Sequence, residues 1–522
     1  MDPRSILAFT FTKAATQEIK DRCQDVCGER VASQMNIQNF HAFCLQILMR
    51  HCGQYDVLGR GRSDLAVLSA QQEQYEYVAT AIARVRESER YRTGNPVLDL
   101  VPPAVAKDCA KHDVADQSLD LEIAAAVEHK VWNSSNGTCR GGSSAPKKRV
   151  GFDYPIYGPG APDPDCVTHF VKFVRQAKAR CQYPYHFFDK QGAAVATHHV
   201  DVYAAYEELL DLNHKLDFGD FVPGVLYLFE KAPALLTHYR DLYRFVFVDE
   251  FQDLNRPQLV LLQTLCPAGR ITVCGDADQS IYGFRGACGT GAFDELKRFY
   301  PHHNHHRLNK NHRSTKVIVT TAETLIGANY EQGLAPQLTH SVVNGDGADV
   351  LQWCNQTPRS EAERIAAYIK RRHKEENTPY RSFAVVARTL YVVRDLESVL
   401  LRNKIPIDGI YNHTRAPPAS EPVDAVTVTS IHRAKGKEWP TVIVARMNEG
   451  VFPIDRRPRE HHAAVTGLLE NEAENEDLLR EERRLAYVAA TRAAKQLIFS
   501  FVTFDGESHL HPSRFIEEAV GK

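Results

Sequence analysis

Seven short apolar runs, rich in β-branched and aromatic residues, recur along the chain and are followed by helical patterns. They are residues 6–11, 245–248, 271–274, 383–387, 426–430, 441–445 and 497–501. Short apolar strands that alternate with helices are typical of parallel β-sheets covered by helices on both faces. Three runs precede residue 300 and four follow residue 380, so the sequence predicts two α/β domains. Ligands of such domains bind beyond the carboxyl ends of the strands.

The composition excludes several classes of protein. The 522 residues are 43% hydrophobic and 25% charged, which excludes a disordered chain, and no run of about 20 apolar residues indicates a membrane span. The net charge is −2, so any contact with nucleic acid must come from a local groove. The amino-terminal segment carries acidic residues and no long apolar stretch, so we expect neither a secretory signal nor a transit peptide. An intracellular protein of the nucleus, nucleoid or an organelle matrix, with no membrane partner, is expected.

Two carboxylates follow the second apolar run. Asp249 and Glu250 stand at the carboxyl end of the predicted strand 245–248, where the metal and attacking water of a bound nucleotide would lie. The first carboxylate suits Mg²⁺, and the second can take a proton from water. Acidic residues are also common at helix N-termini, where the helix dipole favours them. These two residues alone leave both interpretations open.

The third run repeats this design in ITVCGDADQSIYGFRGA, residues 271–287. Asp276 and Gln279 follow a glycine turn, and Gln279 could contact a γ-phosphate. Tyr282, Phe284 and Arg285 interleave aromatic rings with a cation, a pattern that suits stacked bases and a phosphate backbone. Aromatic residues at this spacing are more often core residues when they stand alone. The Gly-Asp-x-x-Gln lead-in favours the functional interpretation.

With these motifs the sequence resembles the superfamily 1A helicases of the UvrD, Rep and PcrA type, almost from end to end. AFTFTKAATQEIKDR at 8–22 is similar to motif Ia, QNFHAFC at 38–44 to motif Ib, and DFGDF at 217–221 to the element before motif II. VDEFQD at 248–253 resembles motif II, GDADQSIYGFRGA at 275–287 motif III, and LNKNHRS at 308–314 motif IV. Residues 428–453 resemble motif V, and EERRLAYVAATRA at 481–493 resembles motif VI.

The resemblance implies an α/β fold with two RecA-like parallel-sheet motor domains and ATP bound between them. Domain 1A would comprise residues 1–50 and 195–300, and domain 2A residues 301–522. Residues 51–194 would form a helical, 1B-like insertion, in which the Gly-, Pro- and Ser-rich stretch 133–165 is expected to be flexible.

The resemblance also assigns roles around ATP and Mg²⁺. Asp249 would bind the metal and Glu250 would activate water. Gln279 would sense the γ-phosphate, and Arg313 and Arg492 would contact it as arginine fingers. In the nucleotide site, Glu438 would hold the ribose, and His312, where the family usually has Tyr, would stack on adenine.

On the DNA side, the resemblance implies 3′ to 5′ translocation on single-stranded DNA, with duplex junctions as further partners, in repair, recombination or replication restart. The positions that would line the strand are Phe11, Thr12, His41, Tyr282, Phe284, Arg285 and His432. Because such contacts reach phosphates and base faces, slight sequence preference and strong salt dependence are expected.

Besides His312, the sequence departs from the family in two further respects. It contains no G-x-x-x-x-G-K-[ST] loop, whose amides, Lys and hydroxyl would hold the phosphates and Mg²⁺. It also passes almost directly from Ile405 and Pro406 to motif V, so the 2B subdomain is expected to be absent. Two hypotheses follow. One is an active helicase of which this chain is a truncated form. The other is a single-strand binding module without nucleotide turnover.

Overall fold

The computed structural model describes residues 2–55, 65–68, 71–87, 164–180, 182, 197–283, 286–330, 341–409, 424–454 and 472–520. These residues group into two units. The first comprises Met1–Ala277 and Tyr282–His303, and the second Asp278–Ile281 and Asn304–Lys522. The predicted flexible stretch lies outside the described residues up to position 163. Its last two residues instead begin a helix at Pro164, because proline is well suited to the first turn of a helix.

A four-stranded parallel sheet forms the centre of the first unit, in the order β2-β1-β5-β6. All three apolar runs before residue 300 are strands in it. The strands of this unit are β1 (Ile6–Thr10), β2 (Asn36–Asn39), β3 (Ala66–Val67), β4 (Lys215–Leu216), β5 (Phe245–Val248) and β6 (Ile271–Val273). Its helices are α1 (Lys13–Cys27), α2 (Glu29–Ala32), α3 (Phe40–His51), α4 (Gln71–Glu87), α5 (Pro164–Ala179), α6 (Thr197–Leu212), α7 (Phe221–Lys231), α8 (Pro233–Leu242), α9 (Arg256–Leu265) and α10 (Thr290–Phe299).

One face of this sheet carries the core. Phe9 and Val248 point from neighbouring strands into a cluster that α3, α7 and α9 cover, and the Phe9 ring stacks on Phe40 with centroids 4.1 Å apart. The other face is less covered, since Phe245 and Phe247 are 37% and 43% exposed. Helix α1 has no buried residue.

The helices α4, α5 and α6 form a second apolar cluster within the first unit. Tyr77, Val174 and Tyr203, one from each helix, are almost fully buried in it. Strands β3 and β4 form a short parallel pair, and β4 follows shortly after α6 in the sequence. Helices α4 and α5 lie within residues 51–194, the predicted helical insertion, whereas α6 begins after it at Thr197. The insertion and its boundaries stay a prediction.

The second unit is built on a six-stranded parallel sheet, in the order β11-β12-β10-β13-β14-β9. All four later apolar runs are strands of it. The strands are β7 (Lys310–Asn311), β8 (Ser341–Val342), β9 (Leu351–Asn355), β10 (Phe383–Ala387), β11 (Ile407–Asp408), β12 (Val426–Ser430), β13 (Trp439–Ala445) and β14 (Ala493–Val502). The helices are α11 (Lys316–Gly327), α12 (Pro358–Glu376), α13 (Leu390–Arg402), α14 (Ile431–Ala434), α15 (Glu472–Ala490) and α16 (Arg514–Ala519).

The central strands explain why these runs are continuously apolar. Every residue of β10 is buried, and it pairs with β12 on one side and β13 on the other. Parallel strands covered on both faces need apolar side chains at successive positions. The prediction of parallel α/β sheets is therefore confirmed for both units. Among the helices that the structure describes, none is long and apolar enough to cross a membrane.

A buried ion pair fixes the end of β13 in the second unit. Glu361 of α12 is fully buried and accepts hydrogen bonds from the backbone N–H (3.0 Å) and Nε (2.9 Å) of Arg446. The hydroxyl of Ser500 donates to the same carboxylate at 2.7 Å. Arg446 has a positive φ of 55°, a conformation that a non-glycine residue holds only when its surroundings enforce it.

We expect Glu361→Gln to destabilise the second unit by about 1–3 kcal/mol, because it removes the buried counter-charge of Arg446 and leaves only the partly exposed Asp395, 3.1 Å from Nη2. Trp353 and Trp439 both belong to the second unit, so tryptophan emission in a Trp132→Phe background can follow its unfolding in urea. Glu363→Gln, on the exposed side of the same helix, is the matched control and should change stability by less than about 0.5 kcal/mol. Equal stability of both variants would contradict the prediction.

Candidate functional site

The carboxyl ends of β5 and β6 bring three acidic residues to one edge of the first sheet. Asp249 and Glu250 follow β5 directly, and Asp276 comes three residues after β6. Two backbone hydrogen bonds join the loops, from Phe251 N to Cys274 O (3.0 Å) and from Cys274 N to Val248 O (2.8 Å). The acidic pair of the sequence prediction therefore lies where parallel strands place ligand-binding groups.

Gln252 connects the two loops through its side chain. It is fully buried; its Nε2 donates to Glu250 Oε2 at 2.6 Å, and its Oε1 accepts from the backbone N–H of Asp276 at 3.0 Å. Glu250 itself has a left-handed backbone, with φ 53° and ψ 44°. Such strain in a non-glycine residue is typical of functional sites, and the amide of Gln252 aims the carboxylate. Gln252 was not predicted as a site residue, although it lies inside the VDEFQD motif.

The charge of this edge is negative. Burial raises the pKa of the Cys274 thiol, and the carboxylates of Asp249, Glu250 and Asp276 raise it further. Among the described residues, no group of three or more His, Cys, Asp or Glu side chains has the arrangement of a metal site. Mg²⁺ in nucleotide sites is commonly bound by one or two carboxylates and completes its shell with phosphates and water. The acidic edge fits this kind of ion, with Asp249 as the candidate ligand.

Gly275 is required by the close approach of the two loops. A Cβ atom added there would lie 2.4 Å from Gln252 Oε1 and 3.0 Å from the backbone N of Phe251. Neither neighbour can move freely, since one is buried and the other is backbone. Gly275, the first residue of the GDADQ motif, thus leaves the space that the side chain of Gln252 occupies.

Four predicted nucleotide-site residues meet in the second unit. Arg313 Nε donates to Glu438 Oε2 at 2.5 Å, and Arg313 Nη1 donates to the carbonyl of Thr491 at 3.4 Å. The next residue, Arg492, places Nη2 3.4 Å from Gln279 Oε1. The structure therefore brings Gln279, Arg313, Glu438 and Arg492 together around one short stretch of chain.

The two arginines differ in exposure. The side chains of Arg313 and Glu438 are 35% and 59% exposed, so their ion pair is accessible to a ligand. Arg492 is only 2% exposed and donates to the carbonyls of Val488 (3.0 Å) and Lys437 (3.3 Å). Its guanidinium is held by backbone, which gives it a fixed position.

The remaining predicted residues of this unit are the two histidines. His312 is exposed, and its carbonyl accepts a hydrogen bond from Asn344 Nδ2 at 2.9 Å. His432 lies in the short helix α14, directly after the carboxyl end of β12. Their predicted contacts with adenine and with DNA stay predictions.

Two aromatic pairs mark the predicted DNA contacts of the first unit. The ring of Phe11 stacks on Tyr282, with centroids 4.9 Å apart and an angle of 25° between the rings. Thr12 caps α1 by accepting a hydrogen bond from the N–H of Ala15 at 3.0 Å. Phe284 and Arg285 lie outside the described residues.

His41 forms the second pair, with Phe218, which was not predicted as a site residue. Its ring lies 6.2 Å from the rings of both Phe218 and Phe221 in edge-on arrangements. Phe221 is buried, whereas Phe218 is 56% exposed. An exposed phenyl ring beside a predicted DNA contact is a candidate for stacking on a base. The sequence signal that could have indicated Phe218 is its position inside the DFGDF element.

Substituting Gly275→Ala should lower the free energy of unfolding by about 1–3 kcal/mol, because the new methyl group collides with Gln252. The matched control is Gly291→Ala, since a Cβ at Gly291 meets no atom within 4 Å. Urea denaturation of both variants is the measurement. A Gly275→Ala protein as stable as the control would show that the loops adjust without cost.

Burial lowers the pKa of His41 below its ordinary value of 6.5. A base whose pKa is lower in the folded state binds fewer protons when folded, so stability is lost as the pH falls below about 6.5. We expect a smaller drop in melting temperature between about pH 7.5 and about pH 5.5 for His41→Gln than for the wild type. His302→Gln, which changes an exposed histidine, should retain the wild-type drop. An unchanged drop in the His41 variant would contradict this assignment.

Comparisons with known proteins match nearly the whole chain. A family model described as the UvrD/REP helicase N-terminal domain matches residues 1–300. A model described as the UvrD-like helicase C-terminal domain matches residues 306–415 and 412–503.

Among individual proteins, the chain is 25% identical over 407 residues to ATP-dependent DNA helicase PcrA of Staphylococcus aureus (strain Mu50 / ATCC 700699), covering 78% of this chain and 44% of the relative. It is 24% identical over 521 residues to a probable DNA helicase of Mycoplasma pneumoniae (strain ATCC 29342 / M129 / Subtype 1), covering 99% of this chain and 78% of that protein. The chain thus spans less than half the length of the staphylococcal relative.

A solved structure also matches, the C-terminal domain of a possible DNA helicase from Lactobacillus plantarum WCFS1. Its TM-score is 0.25 at 17% identity, with 38% of this chain and 91% of that chain covered. The two family models together span the sequence motifs described above. Because the two family models match residues 1–300 and 306–503, the chain belongs to the UvrD/REP helicase family.

Proposed function

We propose that this chain is the motor part of an ATP-dependent DNA helicase that translocates 3′ to 5′ on single-stranded DNA, in repair, recombination or replication restart. The observation that carries the proposal is the aimed carboxylate of Glu250 beside Asp249 at the carboxyl end of β5. A strained acid held by a buried amide is suited to general-base chemistry on water. The family membership supports the same reaction class.

The proposed division of roles on the nucleotide follows the residues. Bound Mg²⁺ would neutralise the phosphates, and Asp249 would hold it. Glu250 would take the proton of the attacking water, and the hydrogen bond from Gln252 Nε2 would hold its carboxylate in position. Gln279 would contact the γ-phosphate.

Arginine would stabilise the charge that develops on the phosphoryl group. Arg492 is held in place by backbone carbonyls, which supports a role that depends on position. Arg313 forms an exposed pair with Glu438, and such pairs contribute only about 0–1 kcal/mol. A phosphate for Arg313 and a ribose hydroxyl for Glu438 could therefore replace their contact at little cost.

Single-stranded DNA and duplex junctions are the proposed partners. The stacked pair of Phe11 and Tyr282 and the pair of His41 and Phe218 supply ring faces and edges, which bind bases without regard to sequence. Tyr282 is 7% exposed, so the stack with Phe11 must open or shift for a base to enter it. Phe218 needs no such change.

A second candidate function is a single-strand binding module without nucleotide turnover. The observation that favours it is the absence of G-x-x-x-x-G-K-[ST] from the 522 residues. In nucleotide-binding proteins this motif supplies the lysine and the backbone amides that bind the phosphates. The 522 residues contain no such motif.

We expect ATP hydrolysis that single-stranded DNA stimulates, with a high KM for ATP because that loop is missing. Glu250→Gln should lower the stimulated rate about 10²–10⁴-fold, since the amide cannot accept the proton. Glu363→Gln, an exposed carboxylate of α12, should retain the wild-type rate. Phosphate release with and without a dT oligonucleotide is the measurement. Binding of the oligonucleotide with no turnover in any protein would favour the binding module.

A further inference from the structure

A buried lysine at the end of α5 gathers three carboxylates. Lys178 is 1% exposed, and its Nζ lies 2.6 Å from Glu207 Oε1, 2.8 Å from Asp217 Oδ2 and 2.9 Å from Asp220 Oδ1. The hydroxyl of Tyr206 donates to Asp217 Oδ2 at 2.7 Å. One ammonium thus faces three acidic groups in the interior, where charged groups are stable only when they are paired.

Two of these carboxylates hold the turn that carries Phe218. Asp217 caps the one-turn 3₁₀ helix Phe218–Asp220 and Asp220 ends it; Asp220 Oδ2 accepts from the backbone N–H of Asp217 at 3.1 Å. The turn also lies directly on the lysine, since a Cβ added at Gly219 would be 2.7 Å from Lys178 Cδ. The position of the exposed Phe218 ring therefore depends on Lys178.

The next residue of α5, Ala179, lies against the turn that follows the stacked pair of Phe11 and Tyr282. A Cβ added at Gly286 would lie 2.6 Å from the Cβ of Ala179. Gly286 has a φ of 81°, and its N–H donates to the carbonyl of Gly283 at 2.8 Å. Ala287 N donates to the carbonyl of Tyr282 at 3.3 Å, so the turn that Ala179 touches begins at the tyrosine that stacks on Phe11.

We propose that the last turn of α5, through Lys178 and Ala179, is a positioning element that sets both aromatic sites for single-stranded DNA. Lys178 fixes the turn of Phe218, and Ala179 fixes the turn that begins at Tyr282. Neither residue contacts DNA itself. The proposal rests on the DNA binding proposed above and adds that the helical cluster of α4, α5 and α6 controls the grip on bases.

The test separates contacts with bases from contacts with phosphates. A dT oligonucleotide containing 2-aminopurine reports stacking by its fluorescence quenching, and the slope of log Kd against log salt reports the number of phosphates contacted. Lys178→Met is compared with Lys172→Met, which removes an exposed lysine of the same helix. Circular dichroism establishes that each variant is folded.

The expected result for Lys178→Met is a loss of 2-aminopurine quenching and a Kd about tenfold weaker, with the wild-type salt slope, because stacking on one or two bases is lost and phosphate contacts remain. Lys172→Met should match the wild type in quenching. A folded Lys178→Met protein with wild-type quenching and Kd would overturn the proposal.

If Lys178→Met does not fold, Ala179→Val gives the decision, because it changes no charge and adds bulk beside the turn at Gly286. It should also lose quenching with an unchanged salt slope, and wild-type quenching in this variant would overturn the proposal. A wild-type protein that fails to bind the oligonucleotide contradicts the proposed DNA binding itself, and this inference with it.

Discussion

The direction of the strands is the constraint on which the acidic site depends. In the first sheet β1, β5 and β6 run parallel, so the residues that follow β5 and β6 emerge at one edge. Backbone hydrogen bonds between the two loops then hold Val248 and Cys274 in register beyond the sheet. Gln252 uses this register: its amide reaches Glu250 on one side and the N–H of Asp276 on the other. The strained backbone of Glu250 is tolerated because these contacts surround it.

Parts of the fold could be predicted because their signal is local. Buried strands such as β10 and β13 consist of consecutive apolar residues, and all seven predicted runs are strands. The strands β2 and β9 were not predicted, since NIQN and LQWCN mix polar and apolar residues at a sheet edge. An edge strand is covered less than a central one, so its sequence carries a weaker apolar pattern.

The candidate site divides in the same way. Asp249 and Glu250 could be located from sequence because they follow an apolar strand directly, whereas the pairing of Arg313 with Glu438 joins residues 125 positions apart. Which exposed side chains pair depends on their positions in the folded chain, and no local sequence pattern encodes those positions. Gln252 and Lys178 were missed for a related reason: each acts through contacts with a turn or loop that lies elsewhere in the sequence. The sequence predicts which strands end in functional groups, and the packing of loops determines how those groups are oriented.

One feature of the first sheet affects how the protein behaves at high concentration. Among the described residues, β6 has a strand partner on one side only, and the neighbouring strand β5 leaves Phe245 and Phe247 partly exposed. An open strand edge beside apolar rings is a template for pairing with another chain. The exposed parts of Phe245 and Phe247 therefore offer an apolar surface for self-association, and a charged residue at Phe247 would be the first change to try for better solubility.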